Sequence, residues 1–518
     1  MSRSVALVLL LALAAALGLR WVALDSRPMH NDEAVNAIKF GQLWDSGRYR
    51  YDPNEHHGPT LYYATLAMGR ISRGPDFNHY TAERLRWVTI LFGLGLILLL
   101  PFLLDGLGPS SVGWAAVFTA VSPAFVFYSR YYIHEMLLVF FTFLALVAGW
   151  RYWRSRSLVW MLIAGAALGL MSATKETFVI TLGAAAVAVT LNQTWNRLID
   201  ASGRPVTAPR LNPWHVVTGL ALWLGVAMLF FSSFFTNAAG PLDALRTYQP
   251  WFQRAAGDSP HIHPWSFYLH RLLFFHAAKG PVWTEALVLV LACVAALAGF
   301  RRRNLANANA SFIRFLALYT FILGAFYSLL PYKTPWCLLS FWHGAILLAG
   351  VGAAGLVCSL PSVGAKVGIG ALLVLGAGHM AWQSWQQDTT YAADPRNPYV
   401  YAQTSTDLLS LVRRVDALAQ VDSQGQRMLI KVMVPGGDYW PLPWYLRSFD
   451  QVGWWDRVPD DPFAPVMIVS PHFDGQLDQN KAYIMTGIFQ LRPQVFLELF
   501  VQKELWQDWL AHRRPEKD

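Results

Sequence analysis

Apolar residues run through the first three-quarters of the chain in long blocks, broken by short polar stretches. The blocks fall at 4–24, 87–104, 112–128, 136–150, 158–173, 177–195, 214–235, 281–300, 315–332, 335–358 and 363–385. A helix needs roughly 20 apolar residues to cross a bilayer's hydrocarbon. The pattern therefore predicts a polytopic α-helical membrane protein with about eleven transmembrane helices. The first block follows Arg3 like a signal sequence. No A-x-A-like cleavage site comes after it, so it is read as a retained helix. Beyond 385 the pattern changes. Leu408, Leu409, Val412, Val415 and Leu418 recur at helical spacing after Thr406 and Asp407, while 428–434 and 466–470 read as short buried strands. This divides the chain into a membrane domain, 1–385, whose first outer loop is 25–86, and a small extracytoplasmic α/β domain, 386–518.

Composition supports the division. Charged residues make up 14% of the chain and hydrophobic ones 54%, against roughly 25% charged in a soluble domain. The net charge of +9 does not point to nucleic acid, because the arginines sit beside apolar blocks. Arg151, Arg154 and Arg156 follow the fourth block, Arg197, Arg204 and Arg210 the sixth, and Arg301, Arg302 and Arg303 the eighth. Basic short loops stay in the cytoplasm. The N-terminus is then cytoplasmic, and the odd-numbered exits and the tail lie on the opposite side of a plasma membrane. Cys293, Cys337 and Cys358 all lie inside apolar blocks and imply no disulfide framework.

The outer loops gather the polar chemistry: Asp32, Glu33, Glu55, His56, His57, Arg130, Glu135, Lys175, Glu176, Arg271 and Lys333. Charges at the ends of spans line cavities or substrate paths, although a single lysine or arginine can simply snorkel to the interface. Ala34, Ala37, Ile38 and Leu43 mark an amphipathic helix expected to lie on the membrane surface, with Asn31 or Asp32 as its cap. Glu55, His56 and His57 are metal-ligand types. Adjacent ligands seldom converge on one ion, so no metal site is expected. The stretch from His261 to His276 reads as interfacial. The aromatics Tyr439, Trp440, Trp444, Trp454 and Trp455 suit either a sugar-binding face or an ordinary core.

Several phrases resemble the C-type glycosyltransferases, which include protein O-mannosyltransferases and the bacterial aminoarabinose lipid A transferase. These are Asp32-Glu33-Ala34, His57-Gly58-Pro59-Thr60-Leu61-Tyr62-Tyr63, Ser129-Arg130 through Glu135, Thr174-Lys175-Glu176 and Pro331-Tyr332-Lys333-Thr334-Pro335-Trp336. Together they are most similar to a prokaryotic branch described as flippase-associated. The resemblance implies transfer of a sugar from a polyprenyl-phosphate donor to a glycan, lipid or protein acceptor on the extracytoplasmic face, by one inverting displacement. It implies Asp32 as general base with Glu33 beside it, and Glu135 orienting the acceptor or a cation. Arg130, Lys175 and Lys333 would hold the donor phosphate, and Glu55, His56, His57 and Tyr62 would form a substrate loop. Membrane lipids are the surroundings, and no cofactor is implied. The alternative is a non-catalytic protein that assists a flippase or transports lipid-linked sugar. Two departures stand out. Arg457 and Val458 follow Gly453-Trp454-Trp455-Asp456 where the oligosaccharyltransferase motif has tyrosine and glycine, and the first loop has no D-x-D.

Overall fold

The computed structural model describes residues 2–54, 57–198, 211–256, 261–473, 477 and 480–512. Glu55, His56, Arg204 and Arg210 lie outside the described residues. The chain divides into two compact units. One takes in the residues up to Leu24, with Ser46–Arg70 and Arg84–Tyr401. The other takes in Asp25–Asp45, Ile71–Glu83 and the chain from Ala402. Residues 386–401 thus pack with the helices, and most of the first outer loop is shared between the two units.

The first unit is a helix bundle. Among the described residues, 8 helices are long and apolar enough to cross a membrane, and a ninth crossing is formed if the bent pair Pro109–Val121 and Pro123–Ser129 counts as one span. Leu158–Ser172 and Ala286–Arg301 are apolar but shorter. All of these segments coincide with the blocks read from the sequence. The core of the bundle is the helix Pro335–Ser359, almost wholly buried from Leu339 to Gly355. It packs on Ala286–Arg301, Pro109–Val121 and Ala310–Leu329. Lipid gives no hydrophobic drive between helices, so small residues that let backbones approach do that work. At Gly352 a Cβ would lie 2.0 Å from the Leu291 carbonyl oxygen, and only glycine permits that crossing.

The bent pair turns by 56° at Ser122, which frees backbone groups inside the bundle. Partners from distant segments meet groups at the break. The Val121 carbonyl accepts from the Ser384 hydroxyl (2.9 Å) and the Pro123 carbonyl from the Gln387 amide (2.7 Å). Glu285, buried at the start of Ala286–Arg301, accepts from the Ser122 hydroxyl (2.5 Å), the Ala124 N–H (2.8 Å), the Tyr399 hydroxyl (2.6 Å) and the Trp342 indole (2.9 Å). It caps the start of Pro123–Ser129.

The second unit is built on a five-stranded sheet of order β2-β1-β3-β5-β4. The strands are β1 (Ile430–Met433), β2 (Val452–Trp455), β3 (Val466–Val469), β4 (Tyr483–Arg492) and β5 (Val495–Gln502). β1 pairs parallel with β2 and β3, β5 runs antiparallel to β3, and β4 antiparallel to β5. One face is covered by the helices Asp407–Ala419 and Lys503–His512 through Leu408, Leu411, Val415, Leu418 and Leu505. Met433, Met467 and Phe500 gather on the other.

The helix Asn31–Ser46 forms as expected, but its apolar face does not lie on lipid. Ala34, Ala37, Phe40 and Leu43 are at most 1% exposed, and the Phe40 ring packs against Phe77 and Tyr80. Helical spacing shows that a face is buried and not what buries it.

Removing the Glu285 carboxylate should destabilise the bundle. Glu285→Ala leaves four buried donors without their acceptor, a loss expected at roughly 3–5 kcal/mol. Glu285→Gln keeps part of the network and should lose less. Thermal unfolding in detergent measures both, and an unchanged melting temperature in the alanine variant contradicts the capping role.

Candidate active site

In the first unit, the loops that the charge pattern assigned to one side of the membrane meet at one place. The phrase His57-Gly58-Pro59-Thr60 docks on the hairpin 173–176. Gly58 N–H donates to the Thr174 carbonyl (3.1 Å) and Thr60 N–H to that of Ala173 (3.2 Å), while the Thr60 and Thr174 hydroxyls bond at 2.8 Å. A Cβ on Gly58 would stand 2.1 Å from the Ala173 carbonyl oxygen, so the motif's glycine is required by this contact. His134, just before the helix Glu135–Ser155, bonds the Gly58 carbonyl (2.9 Å). Tyr62, expected in a substrate loop, is fully buried and packs against Tyr49 and His134. Its part is to hold this loop.

Docking the hairpin brings two ion pairs together. Lys175 donates to Glu135, and both are buried. His57 Nδ1–H donates to Glu176 Oε2 at 2.9 Å. Burial alone would raise the Glu176 carboxyl, but the His57 charge and hydrogen bond, with Lys175 nearby, hold it down at about 2. Burial likewise works against the Lys175 ammonium, but Glu135 outweighs it and raises the group above its ordinary value. Arg130 pairs with Asp388 at 2.7 Å and donates to the Ala23 carbonyl at 2.8 Å. Arg20, fully buried, donates to Ser129 at 2.8 Å and to the Ala120 carbonyl at 3.0 Å.

Two further basic groups near the outer loops, Lys333 and Arg271, meet no carboxylate among the described residues. Lys333 Nζ donates only to the carbonyls of His263 (2.8 Å) and Leu330. The Arg271 guanidinium lies 3.6 Å over the Phe267 ring and donates to the Pro398 carbonyl at 3.1 Å and, less directly, to that of Phe267. His261 and His263 both bond the Tyr401 hydroxyl, at 2.7 and 2.8 Å. Burial, then the charges of Arg271, His261 and Lys333, push the His263 imidazole below its ordinary value. Among the described residues, Arg271 and Lys333 thus sit in this cluster without a carboxylate against them.

In the second unit the two acidic residues of the first loop are used differently. Glu33 is fully buried. It accepts from both terminal nitrogens of Arg27 (2.7 and 3.0 Å) and from the His30 N–H (2.9 Å). The His30 ring in turn accepts from the Asp32 N–H (3.1 Å). His30 and Glu33 therefore cap the helix reciprocally, and neither Asn31 nor the Asp32 carboxylate is needed for it. The Asp32 side chain is 44% exposed, with the His30 ring 4.0 Å away.

Sequence reasoning named Arg130, Glu135, Lys175 and Lys333 but not their partners. It passed over Arg20, Glu285, Asp388, Tyr399 and Tyr401. Arg20 and Asp388 carry a readable signal, being charges within or at the end of apolar blocks. Tyr399 and Tyr401 carry none. Among the described residues no group of three His, Cys, Asp or Glu side chains is placed to hold a metal ion.

The depressed Glu176 carboxyl gives a pH dependence. Its folded value lies below the ordinary ~4.3 of a glutamate, so the stability it contributes is present above that value. That stability is lost as pH falls toward about 2. Melting temperatures of the protein in detergent should therefore fall across this window, and less steeply in Glu176→Gln. Identical profiles contradict the pairing with His57.

Comparison with known proteins agrees with this architecture. Residues 63–241 match the family model "Dolichyl-phosphate-mannose-protein mannosyltransferase". No curated protein matches in a sequence search. ArnT from Cupriavidus metallidurans bound to undecaprenyl phosphate is similar in structure at a TM-score of 0.64 and 14% identity, covering 94% of this chain and 97% of that one. The Archaeoglobus fulgidus oligosaccharyltransferase in complex with zinc and sulfate is similar at 0.51 and 12% identity, covering 97% and 76%. The chain as a whole therefore shares the fold of these two proteins, and its stretch 63–241 carries the mannosyltransferase match.

Proposed function

We propose that the protein transfers a sugar from a polyprenyl-phosphate donor to an acceptor hydroxyl on the extracytoplasmic face of the plasma membrane, with Asp32 as general base. The acceptor oxygen attacks the anomeric carbon as the bond from that carbon to the phosphate oxygen breaks. The electron pair leaves with the polyprenyl phosphate, the hydroxyl proton passes to the Asp32 carboxylate, and the anomeric centre inverts. The observation that carries this reading is the division of the acidic pair. Glu33 is enclosed by Arg27 and the helix cap, whereas Asp32 is open to solvent and not needed as a cap. A general base must reach the proton it takes.

The donor phosphate carries negative charge and gains more on departure, so it needs cations that are not already neutralised. Among the described residues, Arg271 and Lys333 face no carboxylate and meet that requirement. Lys175 and Arg130 already face Glu135 and Asp388. We assign them to holding the hairpin and the loop after Ser129, with Glu135 orienting Lys175. The undecaprenyl phosphate bound to ArnT supports a polyprenyl carrier. The proposed chemistry calls for no metal, so turnover should persist in a chelator.

Purified protein supplied with polyprenyl-phosphate hexoses and pentoses, radiolabelled in the sugar, should release or transfer the label. Asp32→Asn should lower turnover by ~10²-fold or more while leaving polyprenyl-phosphate binding unchanged. Transfer retained in Asp32→Asn and lost in Glu33→Gln would move the base by one residue. Arg271→Ala and Lys333→Ala should each weaken polyprenyl-phosphate binding by about tenfold, the equivalent of ~1.4 kcal/mol. Unchanged affinity in both removes the phosphate assignment. For orientation, a reporter active only in the cytoplasm and fused after Trp385 should be silent. A strong signal reverses the sidedness.

A further inference from the structure

Within the second unit, the chain that leads into the Asp32 helix is held by residues nearly four hundred positions further on. The Tyr445 hydroxyl accepts from the Met29 N–H at 2.8 Å, and the Thr404 hydroxyl donates to the Met29 carbonyl at 2.7 Å. The Gln403 amide donates to the Pro28 carbonyl at 3.2 Å. Both sides of the Met29 backbone are therefore fixed by the tail, three residues before Asp32. Residues 28–30 belong to no helix or strand, so these bonds set their conformation.

A second hold comes from the same turn. Arg447 donates to the carbonyls of Tyr80 (2.5 Å) and Phe77 (3.4 Å), and its guanidinium lies 3.6 Å over the Trp444 ring. The Phe77 ring meets Trp444 edge-on, and Tyr80 packs on Phe40 and Trp44 of the Asp32 helix. Trp444 is 3% exposed. Of the aromatics that suited either a sugar face or a core, this one belongs to the clamp.

We infer that Tyr445, Thr404 and Arg447 are positioning residues for the general base, so that the tail is part of the catalytic apparatus and not an appendage. The inference rests on the proposed role of Asp32. Base catalysis needs the carboxylate in reach of the acceptor hydroxyl, and a displacement of about 1 Å can cost ~10²-fold in rate. Tyr445→Phe removes one hydroxyl and keeps the ring. Thr404→Val removes the other, and Thr404→Ser restores it.

The test combines turnover of the polyprenyl-phosphate sugar accepted by the parent, polyprenyl-phosphate affinity, and amide hydrogen exchange over residues 27–34. Tyr445→Phe and Thr404→Val should speed exchange at Met29 and lower kcat by about tenfold. Polyprenyl-phosphate affinity should stay within about twofold, and Thr404→Ser should recover most of the rate. Arg447→Lys reaches the two carbonyls less well, and its kcat should fall by less. Faster exchange with normal kcat overturns the inference, as does loss of affinity in step with rate, or Thr404→Ser as slow as Thr404→Val. Normal transfer in Asp32→Asn overturns the base assignment and this inference with it. A dead Asp32→Asn beside a fully active Tyr445→Phe overturns the inference alone.

Discussion

A charge taken out of water must be met where it stands, and the helix bundle is organised around that constraint. Lys175 meets Glu135, His57 meets Glu176, Arg130 meets Asp388, and Glu285 meets four donors at the break between Val121 and Pro123. Each pairing joins segments distant in sequence. The bend at Ser122 depends on Glu285, Ser384 and Gln387 to satisfy the backbone it frees. The hairpin 173–176 depends on Gly58 for its fit and on Glu135 for its charge. Buried ion pairs contribute little net stability compared with apolar packing, but losing one partner is costly. The same pairs that admit charge into the bundle therefore fix its loops in one arrangement.

The membrane spans were legible because the constraint that makes them is local. A helix in lipid must be apolar over its own length, and each block announces itself. The parallel strands β1 and β3 were legible for a similar reason, being buried on both faces and continuously apolar. The β4–β5 hairpin was not. Ile484, Met485 and Ile488 are exposed and spoil its alternation, and its turn puts Gln494 rather than glycine or asparagine at positive φ. The Asp32 helix was found by its period and misplaced, because the partners of its apolar face, Phe77 and Tyr80, lie beyond a helix that belongs to the other unit.

The candidate site was legible as a set of residues and not as a set of relations. Acidic and basic residues in outer loops can be listed from a topology. Which of them neutralise one another depends on how the hairpin, the loop after Ser129 and the end of Val363–Thr389 converge. Asp388 is the clearest example. Its place at the end of an apolar block marks it as a charge of interest, but nothing in the sequence says that its partner is Arg130.

Pairing also separates structural charges from chemical ones. The charges that fold satisfies with an opposite charge are committed to the fold. Among the described residues, Asp32 in one unit keeps an exposed carboxylate, and in the other unit Arg271 and Lys333 face carbonyls and an aromatic ring rather than a carboxylate. Sugar transfer from a lipid phosphate requires one acceptor for a proton and positive charge for a departing phosphate. The residual charges have those signs. The acidic pair shows the same logic at the smallest scale. Two adjacent carboxylates on a helix point in different directions. The fold uses Glu33 to close the cap and bind Arg27, and this leaves Asp32 with no structural duty that asparagine could not perform. Loss of function on replacing it with asparagine is therefore evidence about chemistry rather than about folding.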